Sequence, residues 1–164
     1  MHSLPDGAPK TLGEAFAHIA SIASPTVDDL KVMVMLEAAG KTLYDDMANG
    51  VAQEDVRALL QRNGREELAH AHRVSRAIGA LSGSDYPVPA TEENPFLAAP
   101  LPSTPVSRAV LLALAETEFG GESLYERWAT NCSNGEAAAL FRQNGREESE
   151  HGGRLQQAAA LLPA

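Results

Sequence analysis

The chain of 164 residues contains a single cysteine, Cys132. That excludes an internal disulfide and any site built from several thiolates, including a Cys-x-x-Cys iron site. Aromatic residues make up only 5% of the sequence. With Ala, Leu and Glu frequent, this balance favours helices over sheets. There is no basic run and the formal net charge is −9. A nucleic-acid partner is therefore not expected, because that role needs clustered Lys and Arg. The longest uninterrupted apolar run, Ala109 to Ala115, is too short to span a bilayer. The opening Met1-His2-Ser3-Leu4-Pro5-Asp6-Gly7 lacks the basic and apolar stretches of a signal peptide. These absences predict a soluble, cytoplasmic protein without a membrane partner. The length suits one domain with a sizeable core.

Punctuation by Pro, Gly and capping residues divides the chain. Residues 1–10 hold two Pro and a Gly and read as a flexible arm. Thr11-Leu12-Gly13-Glu14 has the form of a capping box. It opens a short helix to about Ser24, with Leu12, Phe16, Ile19 and Ala20 on one side; Pro25 stops it. Thr26 caps a long helix ending at Asn49-Gly50, and a second runs from about Gln53 to Leu81. Residues 83–106 carry six Pro and no helical period. This reads as a crossover within one domain, since neither half can bury its apolar stripe alone. A third helix starts near Ser107 and ends near Asn131; a fourth runs from Asn134-Gly135 to about Leu162. The expected fold is all-α: two αα-hairpins joined by one long crossover, with residues 1–25 as arm and short helix and 26–164 as a four-helix bundle.

One pattern of ligand-type residues occurs twice. Glu37 is followed 30 residues later by Glu67-Leu68-Ala69-His70, and Glu118 by Glu148-Ser149-Glu150-His151 at the same distance. The copies superpose without a gap at an offset of 81 residues, and the likeness extends over 36–74 and 117–155. Glu and His three apart lie about 60° around a helix, so both point into one site. Leu43, Leu59 and Leu60 mark the same inward face. Unpaired carboxylates there would cost several kcal/mol apiece, at about the level of other buried charges. Bound cations remove that cost. Two Glu and two Glu-x-x-His pairs are the ligand set of a di-iron or di-manganese centre in a helix bundle. A single Glu-x-x-His is common by chance; two, each with a Glu on a preceding antiparallel helix, are a specific signal.

On these residues the chain resembles the ferritin-like di-iron carboxylate proteins, the rubrerythrins in particular, over residues 26–162. The resemblance implies a ferritin-like bundle holding two Fe ions, with Mn as the alternative. It implies Glu37 and His70 as terminal ligands of one metal and Glu118 and His151 of the other, with Glu67 and Glu148 bridging. Rubrerythrins usually carry a further carboxylate one turn after the third-helix Glu. Here that position is Gly121, and Glu122 follows it as a helix-surface residue. No rubredoxin module is present, so electrons come from an external donor protein.

Around this set, Tyr44 and Tyr125 lie two turns beyond Glu37 and Glu118 on the same faces, placed to donate to a ligand carboxylate. Asn63 and Asn144, one turn before each pair, are placed to do likewise. Arg65 and Arg146 read as solvated or ion-paired. Glu66 and Glu147 point about 100° away from the ligands, by helix geometry. His2, His18 and His72 read as surface residues, Met33, Met35 and Met47 as core filling, and Cys132 as an incidental thiol. Gly40, Gly120, Gly121, Gly152 and Gly153 fall inside helices beside the ligands. Either close helix approach or a channel for a small oxidant explains them.

The resulting expectation is a non-haem di-iron oxidoreductase that reduces hydrogen peroxide. The alternatives are a ferroxidase that binds and stores iron, an O₂-dependent hydroxylase, a manganese catalase, and a metal-free helical interaction module. The sequence ends with the fourth helix, whereas ferritin shells normally need a short fifth one. A homodimer or other small oligomer is therefore expected.

Overall fold

The computed structural model describes residues 2–101 and 105–163. Its elements are α1 (Leu12–Ser21), α2 (Val27–Asn49), α3 (Glu54–Ser82), α4 (Arg108–Asn131) and α5 (Gly135–Ala160). No strand occurs among the described residues, and none of their helices is long and apolar enough to cross a membrane. α2 pairs with α3, α4 with α5, and α3 packs directly on α5. The long helices thus form the expected ferritin-like bundle of two hairpins. Pro102, Ser103 and Thr104 of the crossover lie outside the described residues.

Capping chemistry fixes most helix ends. Thr26 and Asp29 form a reciprocal capping box at the start of α2. Ser107 and Asn134 accept from the Val110 and Ala137 amides to open α4 and α5. At α1 only half of the expected box forms: Thr11 Oγ1 accepts from the Glu14 amide, while the Glu14 carboxylate accepts from the Thr11 hydroxyl rather than from its backbone amide. α3 ends at Gly83, whose φ of 70° is the left-handed conformation that glycine adopts without strain.

α1 stops at Ser21, three residues before the sequence suggests. Ile22 is extended, and side chains from the end of α4 take up the freed carbonyls. Trp128 Nε1 donates to Ile22 O (3.0 Å), Arg127 to Ala20 O (2.8 Å) and Asn131 to Ala23 O (2.9 Å). Of the expected side of α1, Ile19 is buried and Leu12 partly so, but Phe16 is 50% exposed and Ala20 exposed, and Ala15 is buried in their place. The N-terminal arm lies against the crossover: His2 Nε2 meets Pro87 O at 3.0 Å and its ring sits edge-on to Tyr86. His2 is therefore an anchor, not the surface residue expected.

The crossover contains two short 3-10 turns, Thr91–Glu93 and Pro95–Leu97. Between them the buried Asn94 donates to Met35 O at 2.8 Å. With this cover and α1 above it, α2 is buried all round from Val32 to Ala39. Met33, Met35 and Met47 fill core, as expected. Full burial of a side chain the size of Met35 or Leu36 stabilises by about 1.5–3 kcal/mol. Of the three inward leucines expected, Leu60 is buried; Leu43 and Leu59 are only partly so.

The helical glycines divide by what surrounds them. A Cβ on Gly64 would stand 3.0 Å from Tyr44 Cβ, and one on Gly145 3.2 Å from Tyr125 Cβ. These are points of closest approach between paired helices. Gly153 has nothing within 4 Å of a Cβ and is exposed. Gly153→Ala should therefore raise stability by about 1 kcal/mol, the helix-propensity difference. Gly64→Ala should lower it by about 1–3 kcal/mol, because neither backbone can retreat. Chemical denaturation of the two variants checks the pair; equal shifts would remove the close-approach account.

Candidate metal centre

Each long helix delivers ligand-type side chains to the middle of the bundle. Glu37 comes from α2, Glu67 and His70 from α3, Glu118 from α4, and Glu148 and His151 from α5. All four carboxylates are 8% exposed or less, and both imidazoles are fully buried. Their donor atoms fall into overlapping clusters, each within 4.8 Å: Glu37, His70 and Glu148; Glu67, Glu118, Glu148 and His151; and Glu67, His70 and His151. The structure thus brings together all six residues of the repeated pattern.

The two imidazoles stack at the centre, 5.0 Å between centroids and 14° from parallel. Each turns Nδ1 inward. Glu148 spans the pair, with one oxygen 3.1 Å from His70 Nδ1 and the other 3.5 Å from His151 Nδ1. Glu67 lies 3.2 Å and Glu118 3.6 Å from His151 Nδ1, and Glu37 3.7 Å from His70 Nδ1. None of these contacts has hydrogen-bond geometry, so both buried Nδ1 atoms are without a hydrogen-bond partner. On the outer side, His70 Nε2 donates to Glu147 (3.1 Å) and His151 Nε2 to Glu66 (3.2 Å). An ionised carboxylate can only accept, so Nε2 carries a proton, and whenever the ring is neutral the lone pair is on Nδ1, facing the cluster.

The tyrosines cross between the hairpins. Tyr44 on α2 donates to Glu118 Oε1 on α4 at 2.5 Å, and Tyr125 on α4 donates to Glu37 on α2. Burial, with the Glu118 charge, pushes the Tyr44 hydroxyl well above its usual range. Burial and Glu37 do the same to Tyr125. Both stay protonated as fixed donors. Each Tyr thus donates to a ligand carboxylate, as its placement suggests, and that carboxylate belongs to the other hairpin.

Without cations the cluster is electrostatically frustrated. Burial, then the charge of Glu37, raises Glu67 well above the carboxylate range, and burial raises Glu118 to about 7. Burial pushes His151 down, but the nearby carboxylates of Glu118, Glu148 and Glu67 overcome it and lift the ring to about 11. His70 is raised in the same way by Glu147, Glu148 and Glu37. Burial opposes ionisation of Glu148 too, yet contacts with both imidazoles bring it below its usual range. Protons thus fill the space between carboxylates and imidazoles that cations would otherwise neutralise.

Several expectations change here. Glu66 and Glu147 are turned from the ligands of their own helix, but each bonds the histidine of the opposite helix. Asn63 and Asn144 donate to the backbone carbonyls of His151 and His70 (3.3 Å each) rather than to a ligand carboxylate. Arg73 and Arg154, a repeat pair with no role assigned from the sequence, bond Glu147 and Glu66. Arg65, Arg146, His18 and His72 are exposed, and Cys132 is partly buried with Sγ 3.5 Å from Asn134 O. Glu122 is exposed and accepts from Ser149 Oγ, so it does not fill the position left by Gly121. A Cβ on Gly121 would stand 3.1 Å from the Glu148 carboxylate carbon, and one on Gly40 3.0 Å from Glu67 Oε2. These two glycines make room for the central carboxylates. A Cβ on Gly152 would meet the Phe119 ring at 2.5 Å, while Gly120 and Gly153 face open space.

The donor set fits a pair of divalent cations. It has four carboxylates for charge, two buried imidazole Nδ1 atoms with no hydrogen-bond partner, and oxygen and nitrogen donors of the kind that bind Fe and Mn. No curated protein and no solved structure gives a significant match to the chain. The rubrerythrin family model matches residues 28–159, which includes every residue of the cluster. The chain therefore belongs to the rubrerythrin family of ferritin-like di-iron carboxylate proteins.

Proposed function

We propose that the protein is a non-haem di-iron peroxidase, working as a homodimer or other small oligomer with an external electron-donor protein. Glu37, Glu67, His70, Glu118, Glu148 and His151 hold the metals. The observation that carries this reading is the buried two-fold cluster of four carboxylates and two imidazoles with bare Nδ1 atoms, in a rubrerythrin-family bundle. When bound, two ferrous ions supply the two electrons that reduce hydrogen peroxide to water. Glu148, set between the imidazoles, and Glu67, from the other hairpin, would each be shared by the two ions. Tyr44 and Tyr125 fix the orientation of Glu118 and Glu37 through their hydroxyls. Burial of the whole set excludes bulky substrates.

The anaerobic diferrous protein should be oxidised faster by hydrogen peroxide than by O₂ at equal concentration in stopped-flow mixing. The position of Gly121 gives the second reading, a ferroxidase, its specific support. With no further carboxylate one turn after Glu118, the ligands form a symmetric set of six. Oxidation by O₂ as fast as by peroxide, followed by many turnovers of added ferrous iron into a retained mineral, would replace the peroxidase reading with iron storage.

A further inference from the structure

Outside the ligands, α3 and α5 carry two closed hydrogen-bonded rings, each built from both helices. In the first, His70 Nε2 donates to Glu147 at 3.1 Å, and Arg73 Nη2 donates to the same carboxylate. Arg73 Nε then donates to Asn144 Oδ1 at 2.5 Å, and Asn144 Nδ2 returns to the carbonyl of His70 at 3.3 Å. His70 and Arg73 come from α3, Asn144 and Glu147 from α5. The second ring reverses the roles. His151 Nε2 donates to Glu66 at 3.2 Å, Arg154 donates to Glu66 and, through Nε, to Asn63 Oδ1 at 2.6 Å, and Asn63 Nδ2 reaches the carbonyl of His151 at 3.3 Å. Each member of one ring has its counterpart in the other at an offset of 81 residues.

We infer that Glu147 and Glu66, each clamped by an arginine, are positioning residues for the imidazoles of His70 and His151, so that each helix orients the metal-binding histidine of its neighbour. The inference rests on the di-metal reading above. A carboxylate on the outer nitrogen fixes the tautomer and the ring plane and makes the inner nitrogen a stronger donor. The arginine and asparagine hold the carboxylate and anchor the backbone of the histidine at the same time. An ordinary half-buried Arg–Glu pair between helices would not need the imidazole in the ring, nor a return bond to that residue's own carbonyl.

The assignment is crossed relative to the sequence. Glu147 precedes Glu148 and His151 but serves the ion at His70, and Glu66 precedes Glu67 and His70 but serves the ion at His151. The test uses zinc, which is redox-inert and diamagnetic. Zinc affinities of the full chain are measured by competition with a chromophoric chelator, and the imidazole Nε2 protons of the loaded protein by NMR. Glu147→Gln keeps the side-chain shape and should weaken one of the two ions by about 10–100-fold. It should also shift or remove the low-field Nε2 proton of His70 while leaving that of His151 in place. Glu66→Gln should do the reverse. Arg73→Lys should give a smaller loss at the same ion as Glu147→Gln. Unchanged affinities and unchanged Nε2 protons in a wild-type background that binds two ions would overturn the positioning role alone. So would a loss confined to the stability of the metal-free protein. A wild-type protein that takes up no ions would overturn both this inference and the di-metal reading.

Discussion

His70→Ala and His151→Ala should each reduce the bound divalent metal from two ions to one, and the ion lost should differ between them. His70 Nδ1 faces Glu37 and Glu148, whereas His151 Nδ1 faces Glu67, Glu118 and Glu148. Removing one imidazole takes the only nitrogen donor from one position and leaves the other intact. The loss should exceed the roughly 10–100-fold that follows loss of an outer hydrogen-bond partner. The variants should still fold, because the space vacated is lined by polar groups and the pairing of α3 with α5 keeps its asparagine bonds. Metal analysis after dialysis, with the absorption of a cobalt-substituted protein to tell the two positions apart, gives the answer. Two ions retained in both variants would remove His70 and His151 from the ligand set, and with them the proposed centre.

The six clustered residues were legible in the sequence because ligand chemistry restricts residue type and helix geometry restricts spacing. A Glu-x-x-His pair leaves little freedom, and the offset of 81 residues doubles the signal. The four long helices were legible for a related reason: Thr26, Ser107, Asn134 and Gly83 cap or end them by local chemistry. What surrounds the ligands was harder to read. Periodicity places Glu66 and Glu147 away from the ligands of their own helix, and that holds. It cannot show that the histidine of another helix, 85 or 77 positions distant, arrives on that side. Tyr44 and Tyr125 carry the same lesson, since each reaches the hairpin opposite its own. The Arg73–Arg154 pair was visible as a repeat, and its sharing of that repeat with Glu66 and Glu147 was the signal available. The early end of α1 was not legible, because it depends on Arg127, Trp128 and Asn131 claiming its carbonyls from over 100 residues away.

Removal of metal should invert the pH dependence of stability. In the metal-free fold Glu67 and Glu118 have raised pKa values, Glu118 to about 7. Folding then holds protons that the unfolded chain has released, so their contribution is full below about pH 4.5 and is lost as the pH rises, for Glu118 through about 7. His70 and His151 are raised as well, His151 to about 11, so their contribution begins to fall above about 6.5. Glu66, Glu147 and Glu148 are lowered, Glu147 to about 2, and their contribution is present above about pH 4.5 and lost on acidification. The metal-free protein should therefore be most stable near pH 5 and lose stability steadily to pH 8. Divalent cations displace the same protons, so binding strengthens with pH. At free metal about 1,000 times the dissociation constant, one ion adds about 4 kcal/mol. For a chain of this size that corresponds to roughly 8–16 °C in Tm. Thermal unfolding with chelator, and with Mn(II) or Zn(II), at pH 5, 6.5 and 8 should show the two Tm values diverging as the pH rises. A metal-free Tm that holds level or climbs across that range would mean that the buried carboxylates and imidazoles are not sharing protons in place of cations. A gap that fails to widen would mean that the added ions bind somewhere other than this cluster.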